Sequence, residues 1–227
     1  MSESQPGVPL SLDIGVIDMS TCAPLPDVLV SLWHANATGS YSSFTELDPN
    51  LSFGALIQSL NLTGPVEYGV TDLHKDNSTW LRGMAATNEE GMMEIDTVFP
   101  GFYAGRSIHI HSQVYTNYKL LPNGTISSGY LVNTGQMYFD EELVEQIMSL
   151  QPYAQHTAIE RVTNAKNTHY VEGFENGWDP VVEVVPMDGE DLTRGMIGYI
   201  TLGVDTTALA RPPNYIQPAS PLPSGAV

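Results

Sequence analysis

The sequence has 227 residues, of which 42% are hydrophobic, enough for a folded core in one large β domain or two small ones. Only 15% of the residues are charged, and 26 acidic residues against 8 basic ones give a formal net charge of −18. Such an acidic surface repels phosphate groups, which argues against nucleic acids and anionic membranes as partners. No apolar run approaches the roughly 18 residues that a membrane-spanning helix needs.

Short β-rich segments separated by turns occupy most of the chain. Strands are predicted at Leu10–Met19, Val28–Ala35, Trp80–Thr87, Met92–Phe99, Ile108–Tyr118, Gly129–Thr134, Val181–Pro186 and Met196–Val204. The tetrapeptide Asn88–Gly91 predicts a hairpin between the third and fourth of these strands, with Gly91 at a positive φ. Strands joined by turns are typical of an all-β fold, here a two-sheet β-sandwich.

Two segments differ from this pattern of strands. An acidic first turn followed by Leu143, Ile147 and Leu150 predicts one short helix near residues 140–150. The polar residues 45–79 are predicted to form a long surface loop. No linker separates two cores, so residues 1–211 are predicted to form a single domain, followed by a proline-rich flexible tail at 212–227.

The cysteine and asparagine patterns bear on location. Cys22 is the single cysteine, so no disulfide can form within the chain. Four Asn-x-Ser/Thr sequons, at Asn36, Asn61, Asn77 and Asn123, indicate a secreted glycoprotein. Residues 1–7 lack the basic and apolar regions of a signal peptide, so we predict an extracellular protein whose signal segment is absent from this sequence.

The pair His109 and His111 is the sharpest chemical feature. Residues two apart on a strand point to the same face, so both imidazoles can reach one metal ion while Ile110 packs on the other side. A zinc site would need a third histidine or a carboxylate as well, and copper also accepts imidazole ligands. The pair alone therefore leaves the metal open, and it is also compatible with two hydrogen-bonded histidines that bind none.

Two tyrosines lie where they could reach this pair. Tyr41 ends the segment that begins at Trp33, and Tyr103 lies with Arg106 in a Gly/Pro-rich turn just before the histidines. Taken singly, each tyrosine is more typical of a packed aromatic side chain with a hydrogen-bonded hydroxyl.

Taken together, the motifs resemble one family. The strings PLPDVLVSLWHANATGSYS, LRG, FPGFYAGRSIHIH and TGQMYFD follow in order, with DPVVEVVP and MIGYITLGVD after them. They resemble the intradiol ring-cleavage dioxygenases, in particular their fungal extracellular branch, from about Gln5 to Thr207. The resemblance implies a β-sandwich enzyme that inserts both atoms of O₂ into a catechol and opens the ring between the two hydroxylated carbons, giving a cis,cis-muconate.

The resemblance also implies the roles of six residues. Its ferric ligands fall on Tyr41, Tyr103, His109 and His111, and Fe(III) is the implied cofactor. Tyr103 is implied to be the ligand that leaves and takes up a catechol proton. Arg106 is implied to stabilise negative charge on the ring, and Gln136 to orient it by hydrogen bonding.

Other functions remain open at this point. A non-catalytic, transthyretin-like β-sandwich that binds a small molecule would not need the two tyrosines, and a zinc or copper protein would use the same histidines. Only Ala104 and Gly105 separate Tyr103 from Arg106, whereas bacterial relatives have a longer insertion there. We therefore predict a broad or bulky substrate scope, with the chain a monomer or a homodimer.

Overall fold

The computed structural model describes residues 1–60, 72–127, 129–174 and 177–206. The strands in these residues are β1 (Pro9–Asp18), β2 (Leu29–Trp33), β3 (Arg82–Ala86), β4 (Met92–Val98), β5 (His109–Thr116), β6 (Lys119–Leu120), β7 (Ile126–Ser127), β8 (Tyr130–Tyr138), β9 (Glu183–Pro186) and β10 (Met196–Val204). The α-helices are α1 (Phe53–Ser59), α2 (Glu141–Met148) and α3 (Thr168–Glu172). The longest of these helices has 8 residues, far too few to cross a membrane.

Two four-stranded sheets form the body of the protein. The first has the order β4-β1-β10-β9 and the second the order β3-β2-β5-β8, while β6 and β7 form a small separate ribbon. β1 and β10 pair in parallel, and the other neighbours are antiparallel. This architecture confirms the predicted all-β, two-sheet sandwich.

The core lies between the two sheets because alternate side chains of each strand point inward. In β1 the inward residues are Leu10, Leu12, Ile14 and Val16, each no more than 1% exposed. The second sheet contributes apolar side chains such as Ile110 to the same cluster, and α2 adds Leu143, Val144 and Ile147. Fully burying one such side chain stabilises the folded state by about 1.5–3 kcal/mol. The packed interior therefore supports the side chains on the outer face of the second sheet.

The connection between β3 and β4 differs from the prediction. Residues Asn88–Gly91 do form a tight turn, in which Asn88 N–H donates to the Met92 carbonyl oxygen at 2.8 Å and Gly91 has a φ of 72°. The two strands nevertheless belong to different sheets, since β3 pairs with β2 and β4 pairs with β1. The turn therefore crosses the sandwich, and the predicted hairpin was wrong.

The predicted helix near 140–150 is present as α2, with Asp140 capping its N-terminus through its carboxylate. The prediction of only one helix was wrong, because α1 and α3 also form. Their seven and five residues give too few turns for an apolar periodicity to appear in the sequence. Helix α1 lies in the segment 45–79, whose residues 61–71 are outside the described part, as is the predicted tail at 212–227.

Candidate metal centre

The site lies on the face of the second sheet that points away from the core. Ile110 of β5 and Met137 of β8 belong to the core cluster, so their neighbours along each strand point to the opposite face. Across the strands, His111 pairs with both Trp33 and Gln136, and His109 pairs with Tyr138. The sheet thus presents these five side chains as a continuous polar and aromatic patch. They are Trp33, His109, His111, Gln136 and Tyr138.

The two histidines face each other through their ε nitrogens, which lie 3.0 Å apart. The Nδ1 of His109 lies 2.7 Å from the Ser107 carbonyl oxygen. Because a carbonyl only accepts, this nitrogen carries the proton and Nε2 keeps its lone pair. Burial lowers the pKa of His109 to about 3, with the Arg106 charge adding to the shift, and burial likewise lowers the pKa of His111. Both rings are neutral, as ligands require.

Trp33 orients His111. The two rings are stacked, with centroids 4.9 Å apart and planes 9° from parallel. The buried Nδ1 of His111 has no hydrogen-bond partner in the described part of the chain, unlike Nδ1 of His109. The indole face and the edge-to-face contact with the His109 ring therefore set the angle of the His111 ring.

Tyr103 reaches the pair from the turn between β4 and β5. Its hydroxyl lies 3.3 Å from Nε2 of His109. The chain reverses directly after it, with Arg106 N–H donating to the Tyr103 carbonyl oxygen at 3.4 Å and Gly105 at a φ of 83°. As predicted from the Gly/Pro-rich segment, this turn returns Tyr103 and Arg106 to the end of β5.

Tyr41 is brought in by the packing of two turns, backbone against backbone. Gly101 N–H donates to the Asn36 carbonyl oxygen at 3.2 Å, and a Cβ at Gly101 would lie 2.4 Å from that same oxygen. A Cβ at Gly39, whose φ is 88°, would lie 2.2 Å from the Phe102 carbonyl oxygen. Only glycine fits at either position. This contact places the Tyr41 ring 5.5 Å from the ring of Tyr103, edge to face.

The two phenols are half-buried and are protonated in the absence of a cation. Burial raises the pKa of Tyr41 well above its usual value, and the nearby Tyr103 adds to the effect. Burial also raises the pKa of Tyr103, although the Arg106 charge opposes it. The Tyr41 hydroxyl has no hydrogen-bond partner among the described residues. A buried hydroxyl without a partner is a candidate for coordination or for ligand binding.

This donor set fits a hard trivalent cation. Two nitrogens at about 2.1 Å from one ion and at right angles are about 3.0 Å apart, which is the separation of the two ε nitrogens. The remaining donors at hand are phenol oxygens, which a highly charged ion can hold as phenolates. The described residues contain no group of three or more His, Cys, Asp or Glu that could hold a metal.

Arg106 and Gln136 lie beside these four residues and contact each other. Arg106 is 3% exposed, and its guanidinium donates to Gln136 Oε1. The same oxygen accepts from the Tyr138 hydroxyl at 2.6 Å. The Gln136 amide is therefore fixed with its oxygen toward Arg106 and Tyr138.

The structure thus brings together all six residues singled out in the sequence, and it adds two others. Trp33 stacks on His111, and Tyr138 holds Gln136. Tyr138 was missed because the predicted strand ended at Thr134, although it follows Gln136 by the two residues that place both on one face. His34 takes no part as a ligand. Its ring nitrogens lie 2.8 Å from the Ala35 carbonyl oxygen and 2.8 Å from the Thr97 hydroxyl.

Similarity to known proteins is found in structure and not in sequence. No protein-family model and no curated protein matches the sequence. An intradiol ring-cleavage dioxygenase from Tetranychus urticae is similar in structure, with a TM-score of 0.69 and 26% identity over 90% of this chain and 84% of its own. A second structure, described as a dioxygenase, has a TM-score of 0.67 and 26% identity over 89% of this chain and 83% of its own.

These likenesses confirm the resemblance predicted from the motifs. Over about nine-tenths of its length, the chain has the structure of an intradiol ring-cleavage dioxygenase. Proteins of this structural class are enzymes. Membership of the fungal extracellular branch stays a prediction.

Proposed function

We propose that the protein is a non-haem Fe(III) dioxygenase that cleaves catechols between the two hydroxylated carbons, with both atoms of O₂ entering the product, a cis,cis-muconate. The observation that carries the proposal is the convergence of two imidazoles and two phenols at one point of the sheet. The likeness to an intradiol ring-cleavage dioxygenase supports the same reaction. A non-catalytic binding module would need no such donor set.

Tyr41, Tyr103, His109 and His111 would hold the iron. Bound there, Fe(III) would draw electron density from a catechol so that O₂ can attack a ring carbon. The protein prepares the ligands for this cation. Both histidines are kept neutral, and the phenol oxygens supply negative charge once a cation lowers their pKa.

The other residues would act directly on the catechol. The Tyr103 oxygen would accept a catechol proton. Arg106 would stabilise negative charge that develops on the ring. Gln136, whose amide oxygen is held by Arg106 and Tyr138, would orient the bound ring by hydrogen bonding.

The short Tyr103–Arg106 turn favours a broad or bulky substrate scope. Gly105 is exposed, and no atom lies within 4 Å of a Cβ built there. The turn therefore carries no side chain at Gly105 that could reach toward a ring substituent.

The test is the visible spectrum and the oxygen uptake of the iron-loaded protein. Phenolate-to-Fe(III) charge transfer would colour the wild type. With catechol as substrate, the protein would consume one O₂ for each muconate formed. Tyr41→Phe and Tyr103→Phe each remove one phenolate and should shift or abolish the visible band. Tyr199→Phe is the matched control, because Tyr199 is 46% exposed on β10 in the other sheet, and it should keep both colour and activity.

A colourless protein that takes up zinc or copper in preference to iron would overturn the proposal. So would an unchanged spectrum in both tyrosine variants. An iron-loaded, coloured protein that consumes no O₂ with any catechol would retain the metal site but refute the reaction.

We also propose that the protein is extracellular and glycosylated. Asn77 and Asn123 are exposed, as a glycan acceptor must be. Asn36 suits this role poorly, because its amide donates to Gln5 and its oxygen accepts from Thr38 and Ser40. Asn61 lies outside the described residues. Mass spectrometry after expression through a eukaryotic secretory route should find glycans at Asn77 and Asn123, and unmodified asparagines at both would reject the glycosylation.

A further inference from the structure

A cavity of about 150 Å³ opens beside the candidate metal centre. Tyr41, Tyr103 and Arg106 form one part of its wall, so a molecule in the cavity touches the reacting residues directly. A cavity of about this volume, lined by apolar side chains, is large enough for a benzene ring. The cavity thus has the size and the position for an aromatic substrate.

The rest of the wall comes from the segment that follows Tyr41, including helix α1. The side chains that matter here are apolar, namely Phe44, Leu47, Leu51, Phe53, Leu56 and Leu73. Ser52 caps α1 by accepting from Ala55 N–H, and the Phe44 ring is stacked on His74 at 4.8 Å. These contacts hold the apolar wall in place against the site.

The apolar lining of the cavity disfavours an anion. Arg106 is the one cationic residue in the described lining and Asp48 the one carboxylate. Arg106 already donates to Gln136 and borders the metal centre, where the catechol oxygens would bind. A ring carboxylate that points away from Arg106 would leave water for apolar side chains and would approach Asp48, which is strongly unfavourable.

We propose that this cavity selects catechols with uncharged, apolar ring substituents, such as alkylcatechols, and discriminates against catechols that carry a carboxylate, such as 3,4-dihydroxybenzoate. The inference rests on the proposed function, because it assigns the substrate class of the same site. Leu56 and its neighbours in the wall are the specificity-determining residues. Each additional buried methyl or methylene group is expected to raise kcat/KM about fourfold while room remains.

The first experiment compares four substrates with the iron-loaded wild type by oxygen uptake. They are catechol, 4-methylcatechol, 4-tert-butylcatechol and 3,4-dihydroxybenzoate. We expect kcat/KM for 4-methylcatechol to exceed that for catechol about fourfold and that for 3,4-dihydroxybenzoate at least tenfold. Equal kcat/KM values for the methyl and carboxylate substrates would overturn the inference while leaving the proposed function intact.

The second experiment changes the substrate preference, measured as a ratio of kcat/KM values, by mutation. Leu56→Arg places a cation in the wall and should shift the ratio of kcat/KM toward 3,4-dihydroxybenzoate at least tenfold. Gln58→Arg is the matched control, since Gln58 is an exposed residue of the same helix that does not line the cavity, and it should leave the ratio unchanged. If Leu56→Arg fails to fold, Leu56→Ala should instead raise kcat/KM for 4-tert-butylcatechol relative to 4-methylcatechol. An unchanged ratio in a folded Leu56 variant contradicts the assignment.

A binding measurement separates the two proposals. Isothermal titration of the iron-loaded protein without O₂ should give a Kd for 4-methylcatechol at least tenfold below that for 3,4-dihydroxybenzoate. If no catechol is cleaved but this preference holds, the proposed function fails and the cavity assignment stands. If catechol is cleaved but the Kd values are equal, the cavity assignment fails and the function stands.

Discussion

His34 predicts how stability depends on pH. Its ring is 1% exposed, and burial lowers its pKa from 6.5 to about 4. The unfolded chain therefore takes up a proton near pH 6.5, whereas the folded protein resists protonation until the pH approaches 4. Between these values the unfolded state binds more protons, so stability falls as the pH falls through this window. A pKa difference of this size corresponds to about 3 kcal/mol.

The assay is urea denaturation of the wild type and of His34→Gln at pH 7 and at pH 4.5, with both proteins in the same metal state. In the wild type, His34, which follows β2, forms a hydrogen bond with Thr97 of β4. Glutamine does not titrate but can still form this hydrogen bond. We expect the wild type to lose about 2–3 kcal/mol more than the variant between the two pH values. Equal losses would show that His34 is protonated at no energetic penalty, and the reasoning from burial would then be wrong.

Three further predictions test how the turns and the site are supported. Tyr153→Phe removes a hydroxyl that accepts from Val8 N–H at 3.0 Å and donates to the Phe99 carbonyl oxygen at 2.7 Å, so it should lower the free energy of unfolding by about 2–4 kcal/mol. Thermal denaturation should show the loss, with little change in the exposed control Tyr199→Phe. Gly91→Ala forces a Cβ to within 2.9 Å of the Val16 carbonyl oxygen, whereas Gly124 has a similar φ but open space. Chemical denaturation should therefore give a loss above about 2 kcal/mol for Gly91→Ala and about 1 kcal/mol for Gly124→Ala, and equal losses would exclude the steric contact. Trp33→Leu removes the stacked ring from His111 and should speed the loss of iron to a chelator, while Trp33→Phe should retain most of the stacking; equal rates in the two variants would argue against an orienting role for Trp33.

Much of the fold followed from residue patterns of short range. The strand β10 was predicted with its observed bounds, Met196–Val204, because alternation and β-branched residues define a strand locally. The two-residue spacing of His109 and His111 was likewise sufficient to place both imidazoles on one face. Sheet membership was not predictable in this way. The turn at Asn88–Gly91 has the local features of a hairpin, and only the pairing of β3 and β4 with other strands shows that it crosses the sandwich.

The meeting of the two tyrosines was beyond the reach of local patterns. It depends on the approach of two turns about 60 residues apart, which Gly39 and Gly101 permit by having no side chain. In the sequence these glycines are indistinguishable from ordinary turn residues. The family resemblance supplied the association of Tyr41 with Tyr103, and the packing of the glycines supplies its physical reason. The apolar wall of α1 was missed for a related reason, since its helix is too short to be predicted from periodicity.

The two pairs of proposed ligands differ in the backbone that carries them. His109 and His111 lie in a strand paired on both sides, with 2% and 0% exposure, so moving either ring would disturb β2, β5 and β8 together. Tyr103 lies in a turn, half-buried, two residues before Gly105, whose φ is 83°. Side chains on turns change position at lower free energy than those in the middle of a sheet. When a catechol requires a place at the centre, we therefore expect a phenol to move and the imidazoles to stay, and the family resemblance implies that this phenol is Tyr103.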